Sequence, residues 1–83
     1  MELKTFKKGL GAEIREWRTG QHLSQEKLAV ILKMHTNQLG RMERGQANPE
    51  LLTLHLVAME MKLSIAALCT AAEKRGSNPG RRL

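Results

Sequence analysis

The segment Gln25-Glu26-Lys27-Leu28-Ala29-Val30-Ile31-Leu32-Lys33-Met34-His35-Thr36-Asn37-Gln38-Leu39-Gly40-Arg41-Met42-Glu43-Arg44-Gly45 reads as two short helices joined by a tight turn. Ser24, just before it, can cap the first helix, its hydroxyl accepting a free backbone N–H of the opening turn. Leu28, Ala29 and Leu32 recur at helical spacing and face a core. The chain breaks near Lys33-Met34-His35. His35 or Thr36 then caps the second helix, and Gly45 ends it in a left-handed conformation.

That second helix sorts its side chains by face. At about 100° per residue, Leu39 and Met42 point one way, and Asn37, Arg41 and Arg44 point nearly the opposite way. One face is apolar. The other presents an amide and two guanidiniums, groups that bind phosphates and read base edges in a DNA groove. Gln25 opens the first helix, where backbone N–H groups are free, so its amide and the helix dipole can hold a phosphate oxygen together. Glu43 and Arg18 both edge toward the apolar side. An unpaired buried charge is expensive, so a bridge between them is expected, fixing this helix against the first helix of the chain.

Outward from this pair, Leu3, Phe6, Leu10, Ile14 and Trp17 form an amphipathic stripe. Gly9 and Gly11 lower helix propensity, which places the firm helix at about 8–18 and leaves 1–7 as an N-terminal arm. Downstream, Asn48 as N-cap with Pro49 at the first helical position starts a helix over 49–61. Leu51, Leu54, Val57, Ala58 and Met61 make its core face. Leu52, Leu56 and Met59 make a second apolar stripe, and a helix apolar on two faces is buried on two sides. Ser64 caps a last helix running to about residue 74, with Ile65 and Leu68 inward and Gly76 as the stop. Residues 76–83 read as a disordered basic tail. The fold class is all-α, a five-helix domain over 8–75.

Composition narrows the partners. With 83 residues a single small domain is expected, and a core this thin often gains from pairing with a second copy. The net charge of +6 suits a polyanion. Phe6 and Trp17 are the only aromatics, which argues against a base-stacking platform for RNA or single strands. Cys69 is the only cysteine, so no internal disulfide forms and a reducing cytoplasm is expected. No apolar run reaches the roughly 20 residues of a membrane span. No enzyme signature is present: the chain has no aspartate, and His22, His35 and His55 have no metal-ligand spacing. Ser24 and Ser64 are explained as caps rather than nucleophiles. No metal, cofactor or small-molecule ligand is implied.

Taken together, Leu10-Gly11, Ile14-Arg15, Arg18, Leu23-Ser24-Gln25, Leu28-Ala29, Leu32, Leu39, Glu43, Gly45, Pro49, Leu54, Val57-Ala58, Met61, Leu63 and Leu68 resemble the Xre-type helix-turn-helix family of lambdoid phage repressors and Cro-like regulators. The resemblance covers about residues 8–70. It implies the lambda-repressor-like bundle, with the second and third helices as the DNA-binding pair. It implies base reading by Thr36, Asn37 and Arg41 with Gln38 close by, and phosphate contacts from Gln25, Arg44, Gln46 and Asn48. It implies a structural salt bridge between Arg18 and Glu43. The chain departs from the pattern at Lys33 and Lys62, where glycine (or, at the second, asparagine) is usual. It departs also at Glu60, which replaces a small residue, and at Gly40, which replaces a polar residue in the middle of the reading helix.

The expectation is therefore a sequence-specific duplex-DNA regulator, a homodimer on a palindromic operator. Leu52, Leu56 and Met59, with Cys69 and Ala72 of the last helix, are the expected dimer surface. Three alternatives stay open: a restriction–modification controller, an antitoxin that binds a toxin protein, and an interaction module that has lost DNA binding.

Overall fold

In the computed structural model, which describes residues 1–76, five α-helices follow one another: α1 (Leu3–Gly20), α2 (Gln25–Leu32), α3 (Thr36–Glu43), α4 (Leu51–Glu60) and α5 (Ile65–Gly76). The expected disordered tail lies, from residue 77 onward, outside the described residues. The all-helical expectation holds, and no strand occurs among the described residues.

The serine caps form as the sequence suggests. Ser24 Oγ accepts from Lys27 N at 3.0 Å, and Ser64 Oγ accepts from Ala67 N at 3.0 Å. α2 ends on Lys33, which takes the left-handed conformation at φ 58°, while Met34 N donates back to the Ala29 carbonyl at 2.9 Å. Lys62 repeats this after α4 at φ 60°, and Leu63 N donates to the Ala58 carbonyl at 2.8 Å. His22, after α1, is a third non-glycine residue at positive φ. Gly45 ends α3 at φ +75°.

Two helix starts need correction. α1 begins at Leu3, so most of the expected arm over 1–7 is helix. The glycines that argued for a late start answer to packing instead. A Cβ on Gly9 would lie 2.2 Å from the Ala72 carbonyl oxygen. One on Gly11 would lie 2.4 Å from the carbonyl oxygens of Met42 and Glu43. Both positions are bare because α5 and α3 cross α1 there with backbones nearly touching. α4 begins at Leu51 with Glu50 as N-cap, two residues later than Asn48-Pro49 suggested. The Asn48 side chain is engaged elsewhere, accepting from Lys7 Nζ at 2.9 Å. At α3, His35 is the N-cap residue but makes no side-chain capping bond.

The core draws on every helix: Leu10 and Ile14 from α1, Leu28, Ala29 and Leu32 from α2, Leu39 and Met42 from α3. Val57 and Ala58 of α4, Met61, and Leu68 and Ala72 of α5 complete it. Burying each large side chain contributes about 1.5–3 kcal/mol. Phe6, Trp17, Leu54, Leu56 and Ile65 pack at its margin. Leu3 and Leu51, read as core-facing, are 67% and 70% exposed. Each is the first residue of its helix and projects beyond the packed layer. Ala72 moves the other way. It is fully buried under α1 and has no surface for a second chain, which corrects its place on the dimer face.

Candidate nucleic-acid interface

α3 owes its position to what lies beneath it. Leu39, Met42 and Glu43 are buried on one side. Arg18 Nε donates to Glu43 Oε2 at 2.6 Å, and Arg18 Nη2 donates to Glu43 Oε1 at 3.1 Å. The side chains are 12% and 2% exposed, so this is an inner brace rather than a surface pair. Arg18 Nη1 also donates to the Leu23 carbonyl at 2.8 Å. Gln25 Nε2 donates to Glu43 Oε1 at 2.9 Å. One carboxylate thus joins α1, the start of α2 and the end of α3. The ionic part of this junction was legible from facing; the amide part was not.

Opposite that brace, Asn37, Gln38, Arg41 and Arg44 are exposed and Thr36 is half-buried. Gln25, Thr36, Asn37, Gly40, Arg41 and Arg44 line one shallow open groove. Gly40 forms its floor. A Cβ there would meet Arg44 Nη1 at 3.2 Å and the Gln25 amide oxygen at 3.6 Å. Gln38 and Asn48 line a different hollow, shared with Met34, Pro49, Glu50 and Thr53. Arg41 borders both and forms the ridge between them. Of the residues named for base reading and phosphate contact, all but Gln46 line one or other of these two adjoining depressions.

Gln46 organises the two arginines. Arg41 Nη2 donates to its backbone carbonyl at 3.1 Å, and Arg44 Nε donates to its side-chain oxygen at 3.2 Å. Both acceptors are neutral. The ion pairs among the described residues involve Arg18 with Glu43, and Arg75 with Glu13 and Glu16. The charge of Arg41 and Arg44 thus stays uncompensated on the exposed face. At the start of α2 the Ser24 hydroxyl takes the Lys27 N–H, leaving the N–H groups of Gln25 and Glu26 without intrahelical acceptors. The face offers donors and positive charge, which is what a phosphodiester backbone requires.

Lys7 is a member of this surface that sequence reading passed over, having been assigned to the arm. Its bond to Asn48 places α1 beside the loop between α3 and α4. The available signal was the spacing of Lys4, Lys7 and Lys8, which share one helical face once α1 starts at Leu3.

Residues 14–68 match the sequence pattern of a family described as helix-turn-helix. The control protein C.SmaI of Serratia marcescens is 36% identical over 65 residues, spanning 78% of this chain and 77% of its own. Among solved structures, the crystal structure of the clp gene regulator ClgR from Corynebacterium glutamicum is similar in fold. The TM-score is 0.81 at 21% identity, covering 93% of this chain and 82% of that one.

Proposed function

The chain belongs to the helix-turn-helix family of DNA-binding transcriptional regulators, and from that premise we propose that it acts as a homodimer on a palindromic duplex operator. Each subunit lays α3 into a major groove. Asn37 and Arg41, with Thr36 and Gln38, read base edges; Gln25, Arg44, Gln46 and Asn48 hold the backbone on either side. The observation that carries this reading is the exposed row of Asn37, Arg41 and Arg44, whose arginines have neutral hydrogen-bond partners only, on the side of α3 away from its buried brace. The dimer is supported by Leu52 and Met59 of α4, 64% and 59% exposed, with half-buried Leu56 on the same stripe and half-buried Cys69 on α5. The cytoplasm is the compartment this role calls for; no single helix among the described residues is long and apolar enough to cross a membrane.

Selection of bound sites from a random duplex pool tests the proposal. Symmetric sites with half-sites about one helical turn apart are the expected product. Arg41→Ala should cost about 1–3 kcal/mol on the selected site and relax base choice at one position per half-site. An equal loss on every sequence would remove Arg41 from the base-reading set.

Likeness to a control protein favours an autoregulated controller, such as one serving a restriction–modification system, over an antitoxin. Gene neighbourhood separates the two: a methylase or nuclease gene alongside supports the controller, and a small toxin gene supports the antitoxin.

A further inference from the structure

We propose that Lys7 joins Asn48, already assigned to the backbone above, in one phosphodiester seat beside the groove that α3 enters, and that Lys4 and Lys8 extend it along the duplex flank. This rests on the DNA-binding reading above and adds an element to it. The binding surface then includes the first turns of α1 as well as α2, α3 and the following loop.

α1 is helical from Leu3, so Lys4, Lys7 and Lys8 are held on a rigid scaffold rather than a loose arm. The backbones of α1 and the loop meet directly: a Cβ on Gly45 would lie 2.9 Å from both Cα and Cγ of Lys8. Lys7 Nζ donates to Asn48 Oδ1 at 2.9 Å. That bond fixes which way the amide faces. With Oδ1 turned to the ammonium, Nδ2 and its two N–H donors face away from it. The ammonium keeps two further N–H donors of its own. What remains is four outward N–H donors beside a net positive charge, with one lone pair left on Oδ1. None of Lys4, Lys7 and Lys8 is in an ion pair among the described residues, and Glu50, two residues past Asn48, is in none with them. The acceptor that suits such donors is an anionic oxygen. Asn48 shares its loop with Gln46, which holds Arg44, so the next phosphates of a duplex already on α3 are the anions within reach.

The simpler role for the Lys7–Asn48 bond is to tie the loop to α1. Asn48→Asp separates the two. It leaves Lys7 an acceptor and strengthens the tie, but removes both amide donors and puts a negative charge where the phosphate would sit. Binding is measured by fluorescence anisotropy on the selected duplex and on random duplex over a salt series, at a temperature where all variants are folded. Asn48→Asp should bind both duplexes roughly tenfold more weakly, with unchanged base preference. Lys4→Gln/Lys7→Gln/Lys8→Gln should lower the slope of log affinity against log salt by about 0.9 per lost contact. Wild-type affinity and salt slope in both variants would overturn the seat, while an intact Arg41-dependent base preference in the same assay would leave the reading of α3 standing. Absence of duplex binding by the wild-type chain would remove both.

Discussion

Glu43 is the residue on which most of the site turns. It is the buried acid of the described residues, and its oxygens serve Arg18 and Gln25 at once. Removing one member of a buried pair leaves an uncompensated charge, which typically costs about 3–5 kcal/mol. Glu43→Ala should therefore destabilise the fold by about 3 kcal/mol, measured by urea unfolding. Replacing both partners with apolar residues, Arg18→Met with Glu43→Leu, should cost clearly less than the two single changes summed. Additive losses would mean that the two side chains act independently. A further consequence concerns DNA: Gln25, released from Glu43, loses its fixed orientation, so phosphate affinity should fall in Glu43→Ala even where the chain is fully folded. Of this cluster, Arg18 and Glu43 could be read from facing alone, because two opposite charges near an apolar stripe need each other. The Gln25 link could not, since an amide at a helix start has many possible acceptors and only the packed arrangement chooses among them.

At the scale of elements, glycine marks two opposite situations that a sequence cannot distinguish. In α1, Gly9 and Gly11 sit where other backbones cross at less than side-chain distance. In α3, Gly40 sits under the ends of two flexible side chains, Arg44 and Gln25. A helical Gly→Ala change that meets no fixed neighbour usually stabilises by about 1 kcal/mol. Gly40→Ala should keep most of that gain, because Arg44 can shift by the few tenths of an ångström required. Gly9→Ala should reverse it and lower the melting temperature, because the Ala72 carbonyl belongs to α5 and cannot move alone. Thermal unfolding of the two variants tests the contrast, and a Gly9→Ala protein as stable as the wild type would refute the close crossing. The same feature explains what was and was not legible in the elements. Helix number, the serine caps and the turn at Lys33 follow from local patterns. The start of α1 does not, because propensity penalises glycine without knowing which neighbour requires it. α4 was misplaced for a related reason: Asn48-Pro49 carries a local start signal, yet the Asn48 side-chain oxygen accepts from Lys7 of α1.

For the molecule as a whole, the proposed homodimer must place two copies of α3 on one duplex. A single α3 has eight residues and reaches only a few base pairs, which is why we propose a second copy at a set distance. The exposed apolar side chains of α4, Leu51, Leu52 and Met59, line neither hollow of the α3 face, although Glu50 and Thr53 beside the first two line one of them. A pair of chains joined there would therefore leave both reading helices free. To engage both half-sites, such a joint must present them about 34–36 Å apart, one turn of DNA. Leu52→Glu with Met59→Glu places like charges opposite one another across such a joint while touching no buried contact within the subunit. Sedimentation should show wild-type dimer and variant monomer at equal concentration, with similar helix content by circular dichroism. On the selected palindrome the variant should lose roughly 100-fold or more in affinity, because simultaneous engagement of two half-sites is gone. On random duplex under low salt it should lose far less, since phosphate contacts are made by each subunit separately. A variant that still sediments as a dimer would move the joint away from α4. A monomer that holds the palindrome as tightly as the wild type would show that one subunit carries the specificity alone.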